Sequence, residues 1–169
     1  MKAAILLLLL ASWEPGQQDI RTDALDQVPP SLRAELQSAL ITALNAQVKG
    51  DWNALYGMQW PKTLEHESKI AFESAHKDFG LMEDGFSVIR VERTTGGTTT
   101  SKDGMWTILG CAQFSKINNS QSIEAMTTIY LVDGHWYVQD IRPVLQMESA
   151  KSSPCKLSEG IDPKALFKK

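Results

Sequence analysis

The sequence predicts an α+β protein, with three N-terminal helices packed on a curved antiparallel sheet. Three observations predict it. Apolar residues recur at helical spacing as far as about residue 80, and from Gly85 onward the period changes to two. Asp133-Gly134 stands between two apolar runs, a strong short-range hairpin signal. Helices come first and strands after, which is the segregated order of an α+β domain rather than the alternation of a parallel sheet.

The elements follow in order. Pro29 and Pro30 punctuate a polar lead-in, and Ser31 is a candidate N-cap. Leu32, Leu36, Leu40 and Leu44 then recur every fourth residue, with Ile41 and Val48 widening the stripe, so a first amphipathic helix is expected up to Gly50. Gly50 is suited to the left-handed residue that closes a helix. Asp51 caps a short second helix, "WNALYGM", which "QWP" breaks because a residue before proline avoids the helical region. A third helix is expected through "KTLEHESKIAFESAHKDFG", with Leu64, Ala71 and Ala75 on one stripe, Phe72 and Phe79 beside it, and Gly80 at its end. Strands are expected in "FSVIRVERTT", "MWTILGCAQFSKI", "SIEAMTTIYLV" and "HWYVQDIRPVL", joined by a polar connection "TTGGTTTSKDG", a turn at "NNSQ" and the Asp133-Gly134 hairpin. Gly110 is a candidate bulge at a sheet bend.

Composition bounds the function. A chain of 169 residues, 43% hydrophobic and 22% charged, suits one domain with a single core. A net charge of −3 without a basic stripe argues against nucleic acid as a partner, and the basic end "KALFKK" reads as a solvated tail. The apolar run Ala3 to Ala11 after Lys2 is far shorter than the roughly 20 residues of a membrane span, but suits the h-region of a secretory signal. Residues 1–11 are therefore read as a signal peptide, 12–30 as a flexible lead-in and 146–169 as a C-terminal tail. A periplasmic or secreted mature chain with no stable membrane span is expected. Cys111 and Cys155 form no C-x-x-C pair and have no neighbouring histidine cluster, so zinc and thioredoxin-type chemistry are not expected. In an oxidising compartment they could pair, and otherwise they are two free thiols with Cys111 buried.

The order of elements, with "GDWNALY" (Gly50 to Tyr56) and "DGHWYVQDI" (Asp133 to Ile141), resembles the nuclear transport factor two-like superfamily, also called the SnoaL-like or cystatin-like cone. The resemblance covers roughly residues 31–145, the expected cone domain, and is closest in kind to small exported bacterial members without an assigned reaction. It implies a sheet bent around helices with a pocket between them. It also implies a family that holds ketosteroid isomerases and polyketide cyclases beside many binding and interaction domains.

Five residues are candidates for such a pocket: Tyr56, Trp60, Trp106, Trp136 and Asp140. Alternation puts Trp136, Val138 and Asp140 on one face of the last strand, and Tyr137, Gln139 and Ile141 on the other. An apolar cone would raise the pKa of Asp140 and tune it as a general base, with Tyr56 or His66 as partner. The preferred reading is a structural acid that accepts from backbone donors or pairs with Arg142 on the same face. The aromatics divide in the same way, between pocket mouth and plug. His76 and Glu73 have helical ligand spacing, but such isolated pairs are common on solvated faces, so neither a metal nor a cofactor is expected. The expectation is an exported, non-enzymatic module that binds a small hydrophobic ligand or an envelope protein, or pairs with a second copy through its sheet. The alternative is an isomerase or lyase with Asp140 as base.

Overall fold

Pro29 and Pro30 open a 3-10 turn, Pro30–Leu32, that runs directly into helix α1, Arg33–Lys49. The computed structural model describes residues 27–94, 104–117, 121–144 and 153–165. The expected signal peptide, residues 12–26 of the lead-in, most of the connection after Arg93, the Asn118–Ser120 part of the next turn and the last four residues lie outside that range. Ser31 falls inside the 3-10 turn, and neither Pro29 nor Leu32 provides a side-chain cap. Gly50 does close α1 in the left-handed region, at φ 67° and ψ 24°. Asp51 caps α2, Trp52–Gly57, by accepting from the Ala54 N–H at 3.0 Å.

The expected third helix is divided in two: α3, Pro61–Leu64, and α4, Lys69–Phe79. The chain is extended at Ser68, whose hydroxyl accepts from the Ala71 N–H and starts α4 afresh. The described residues therefore hold four α-helices before the sheet. The buried stripe also differs from expectation. Ala71 is exposed and Ala75 half-buried, while Phe72 and His76, one turn apart, face inward.

The sheet is antiparallel and open, in the order β1-β2-β3-β4 with β5 also paired to β3. Its strands are β1, Met82–Arg93; β2, Gly104–Phe114; β3, Ser122–Val132; β4, His135–Val138; and β5, Arg142–Pro143. Asp133 and Gly134 both have positive φ, 50° and 76°, as a two-residue type I′ hairpin requires. The irregularity expected near Gly110 lies across from it, in β1 between Val88 and Arg90. Gly110 itself is needed because a Cβ there would stand 2.4 Å from both the Phe86 ring and the Ser87 carbonyl oxygen.

One face of the sheet carries α1. Leu36, Leu40, Leu55 and Phe72 meet Val88, Trp106, Ile108, Ala125, Ile129, Val138 and Ile141, all 2% exposed or less. These side chains fill the space between helices and sheet. None of the helices among the described residues is long and apolar enough to cross a membrane.

The two ends also join the fold. Val28, assigned to the lead-in, is fully buried, and the Gln27 carbonyl accepts from Trp106 Nε1 at 3.2 Å. Residues 153–165, assigned to a tail, form a strap. It begins beside β3, where Glu124 N–H donates to the Ser153 carbonyl and Cys155 N–H to the Ser122 carbonyl. Cys155 is disulfide-bonded to Cys111 on β2. The strap then reaches β1, where Ile161 and Val88 exchange two backbone hydrogen bonds of 2.7 and 2.8 Å. It ends against α1, where Gln37 donates to the Pro163 carbonyl. Gly160 is required where the strap crosses, since a Cβ would stand 2.6 Å from the Ser87 hydroxyl.

The disulfide closes a separation of 44 residues. In the chain-entropy picture this is worth up to about 4 kcal/mol. A Cys111→Ala/Cys155→Ser variant should lose stability of up to that size in urea unfolding, and its Ile161 amide should exchange faster. An unchanged midpoint would mean that the strap is held without the disulfide.

Candidate functional site

The expected last strand is interrupted where Asp140 lies. Val138 pairs with Ile129 and Arg142 with Met126, so the three residues Gln139, Asp140 and Ile141 stand opposite two, Thr127 and Thr128. One extra residue makes a bulge, and a bulge reverses the alternation of side chains beyond it. The expected phasing therefore fails at this point. Ile141, assigned to the face opposite Val138, is 1% exposed and joins the same core.

The bulge takes Ile141 out of the ladder, and a buried side chain replaces the missing partners. Gln47 of α1 donates from Nε2 to the Ile141 carbonyl at 2.7 Å and accepts from the Ile141 N–H at 2.8 Å. Gln59 serves the free edge of β4 in a similar way, donating to the Val138 carbonyl at 3.0 Å while the Met58 carbonyl accepts the Val138 N–H. Buried backbone groups without such partners would each cost about 1–3 kcal/mol.

Asp140 is 4% exposed and lies among charges. Its Oδ2 accepts from Arg142 Nε at 2.6 Å, and Arg142 Nη2 reaches both carboxylate oxygens of Glu67 at 3.2 and 3.3 Å. His76 Nε2 stands 2.9 Å from the same Oδ2, a short contact although off-line for a good hydrogen bond. The other ring nitrogen, Nδ1, is 2.7 Å from the Phe72 carbonyl oxygen. Both nitrogens thus face oxygen atoms. The ring is also enclosed by Trp52 and Phe72, at centroid distances of 4.5 and 4.3 Å.

Burial alone would raise the Asp140 carboxyl, but the contacts from His76 and Arg142 outweigh it and hold the carboxyl below its ordinary value. Burial alone would likewise lower Arg142, and Asp140 and Glu67 outweigh that and raise it. The acid therefore has the partner expected of a structural carboxylate, Arg142. It has a second in His76, which the sequence had not connected with it.

A recess of about 300 Å³ opens beside this cluster, bordered by Gln59, Thr63, Glu67, Thr128, Asp140 and Arg142 among others. The four aromatic candidates do not border it. Trp106 is fully buried and stacks on Trp136 at 5.6 Å, and Trp136 Nε1 donates to Glu35. Trp60 is 6% exposed against Tyr130, and the Tyr56 hydroxyl donates to the Glu67 carbonyl. A larger groove of about 520 Å³ lies elsewhere, along β1 between α1 and the strap. Sequence reasoning missed Gln47, Gln59, Glu67 and this groove. Gln47 had a signal: it follows Leu36, Leu40 and Leu44 in the buried stripe of α1, where a polar residue calls for a buried partner. Glu67 and the groove had none.

No protein-family model, curated protein or solved structure matches the chain.

The lowered Asp140 carboxyl fixes the sign of a pH effect. Its stabilisation is complete above the unfolded-chain value of about 3.9 and is lost as pH falls through that value toward the lower native one. Asp140→Asn should cost about 1–3 kcal/mol near neutral pH, because Arg142 loses its carboxylate partner. The variant should also show a flatter loss of stability between about pH 4 and pH 2 than the unaltered protein, as urea unfolding across that range would measure.

Proposed function

We propose that the protein is an exported, non-enzymatic module that binds a small hydrophobic molecule. The observation that carries this reading is the state of Asp140. A general base that abstracts a proton beside a carbonyl needs a carboxyl tuned upward in an apolar pocket, near a second proton donor. Asp140 is shifted the other way, its Oδ2 is taken by Arg142 and His76, and the recess beside it is lined mostly by polar residues. The isomerase or lyase reading therefore lacks support at the residue on which it depended.

Binding is favoured by the groove beside β1, whose volume of about 520 Å³ falls within the range of small-molecule sites. Export is favoured by the signal-like N-terminus together with the Cys111–Cys155 disulfide, which suits an oxidising compartment. Membership of the nuclear transport factor two-like superfamily is part of the same proposal, supported by helices followed by an open antiparallel sheet and by the two motifs at Gly50–Tyr56 and Asp133–Ile141. A homodimer through the sheet has less support, because the disulfide and Trp60 on Tyr130 already occupy parts of the outer face.

The test is a calorimetric titration of the oxidised protein with a panel of small hydrophobic molecules, run beside an NMR assay of deuterium exchange α to the carbonyl of cyclohexanone. Saturable binding of at least one compound without faster exchange is the expected outcome. Faster exchange that Asp140→Asn abolishes would reinstate the enzyme, and silence from the whole panel would remove the binding role.

A further inference from the structure

The groove along β1 has a composition that narrows its ligand. Its apolar wall is formed by Ile41, Leu44 and Val48 of α1, Phe86 of β1, and Leu157 and Pro163 of the strap. Val48 is 38% exposed, a large apolar side chain left facing the opening. The rim carries two cations, Lys49 and Lys164, against one carboxylate, Asp162. Asp162 Oδ1 is already engaged, accepting from the Lys164 N–H at 2.9 Å. In a chain of net charge −3, this is a locally cationic rim over an apolar floor.

A second observation is independent of the cavity's shape. Ser87 borders the groove and is 7% exposed, yet its hydroxyl has no hydrogen-bond partner among the described residues. A buried hydroxyl left unpaired is costly, and native proteins rarely keep one without a use. Its oxygen is closed off beneath the strap, so it marks the tight crossing there rather than a surface open to the groove. The strap passes directly over it at Gly160, where no side chain could fit.

From these features we infer that the groove under the strap binds a small amphiphilic anion, its apolar body on Ile41, Leu44, Val48 and Phe86 and its acidic head toward Lys49 and Lys164. The inference rests on the binding reading above and adds the place and the ligand chemistry. The site lies at the edge of the helix–sheet interface, where α1, β1 and the strap meet. The strap contributes three apolar or backbone surfaces to it, so the disulfide that anchors the strap also shapes the site.

Dodecanoate, below its micelle concentration, is the probe, with dodecyltrimethylammonium and dodecanol as controls. Binding is read by amide chemical-shift changes in the intact, oxidised protein. Shifts should centre on Gly85, Ser87 and Gly160, and both controls should bind at least tenfold more weakly. Lys49→Glu/Lys164→Glu and Val48→Trp, all at exposed positions, should each weaken dodecanoate at least tenfold with unchanged folding. Ser87→Ala should raise the midpoint of the ligand-free protein by about 2–4 °C, as removal of an orphan group would, and leave dodecanoate binding unchanged. Binding that the groove variants leave unchanged, or that shifts residues around Arg142 instead, would overturn the location and leave the binding role standing. Equal binding of the three amphiphiles would overturn the anion, and no binding of dodecanoate would overturn the ligand class, which the wider panel tests separately.

Discussion

The two hydrogen bonds between the Gln47 side chain and the backbone of Ile141 hold the bulge on which the candidate site depends. A bulge in an edge strand frees an N–H and a carbonyl that must find partners once helices cover them. Here one amide on α1 supplies both. Because Gln47 lies on the same stripe as Leu36, Leu40 and Leu44, docking the helix and fixing the bulge are one event. Removing that amide would strand two buried groups together, at about 1–3 kcal/mol each.

From the bulge follows the arrangement of charge. With an extra residue between Val138 and Arg142, Ile141 turns into the core, and Asp140 meets Arg142 and the inward-facing His76 of α4. Glu67, just before the cap of α4, completes the set by holding the other end of Arg142. Helix, loop and last strand are thus joined through one carboxylate. Such a buried cluster is costly to break, although its net contribution over an apolar replacement is small.

Much of this was legible in the sequence, and the failures have physical causes. The helix-then-sheet order, the caps at Asp51 and Gly50, and the Asp133-Gly134 turn depend on local chemistry, which neighbouring residues carry. The break at Ser68 was missed because apolar spacing continues across it, although its serine is a ready cap. The reversal at Asp140 was not legible, because strict alternation has no term for a bulge and the compensating Gln47 stands 94 residues away. The strap was read as a tail for the same reason. Its ties at Cys155, Ile161 and Pro163 are each to a distant element, and only the cysteines hinted at one of them. The groove is a property of three segments together and left no local trace.

The account rests on Asp140 as an ionised, structural acid. A carboxyl-carbon NMR titration of the oxidised protein measures that directly. The account predicts a midpoint for Asp140 below the ordinary value of about 3.9, with the resonances of Ile141 and His76 moving in the same step. A midpoint well above that value would place a neutral carboxylic acid in an apolar environment, contradict the ion-paired cluster, and restore Asp140 as a candidate base.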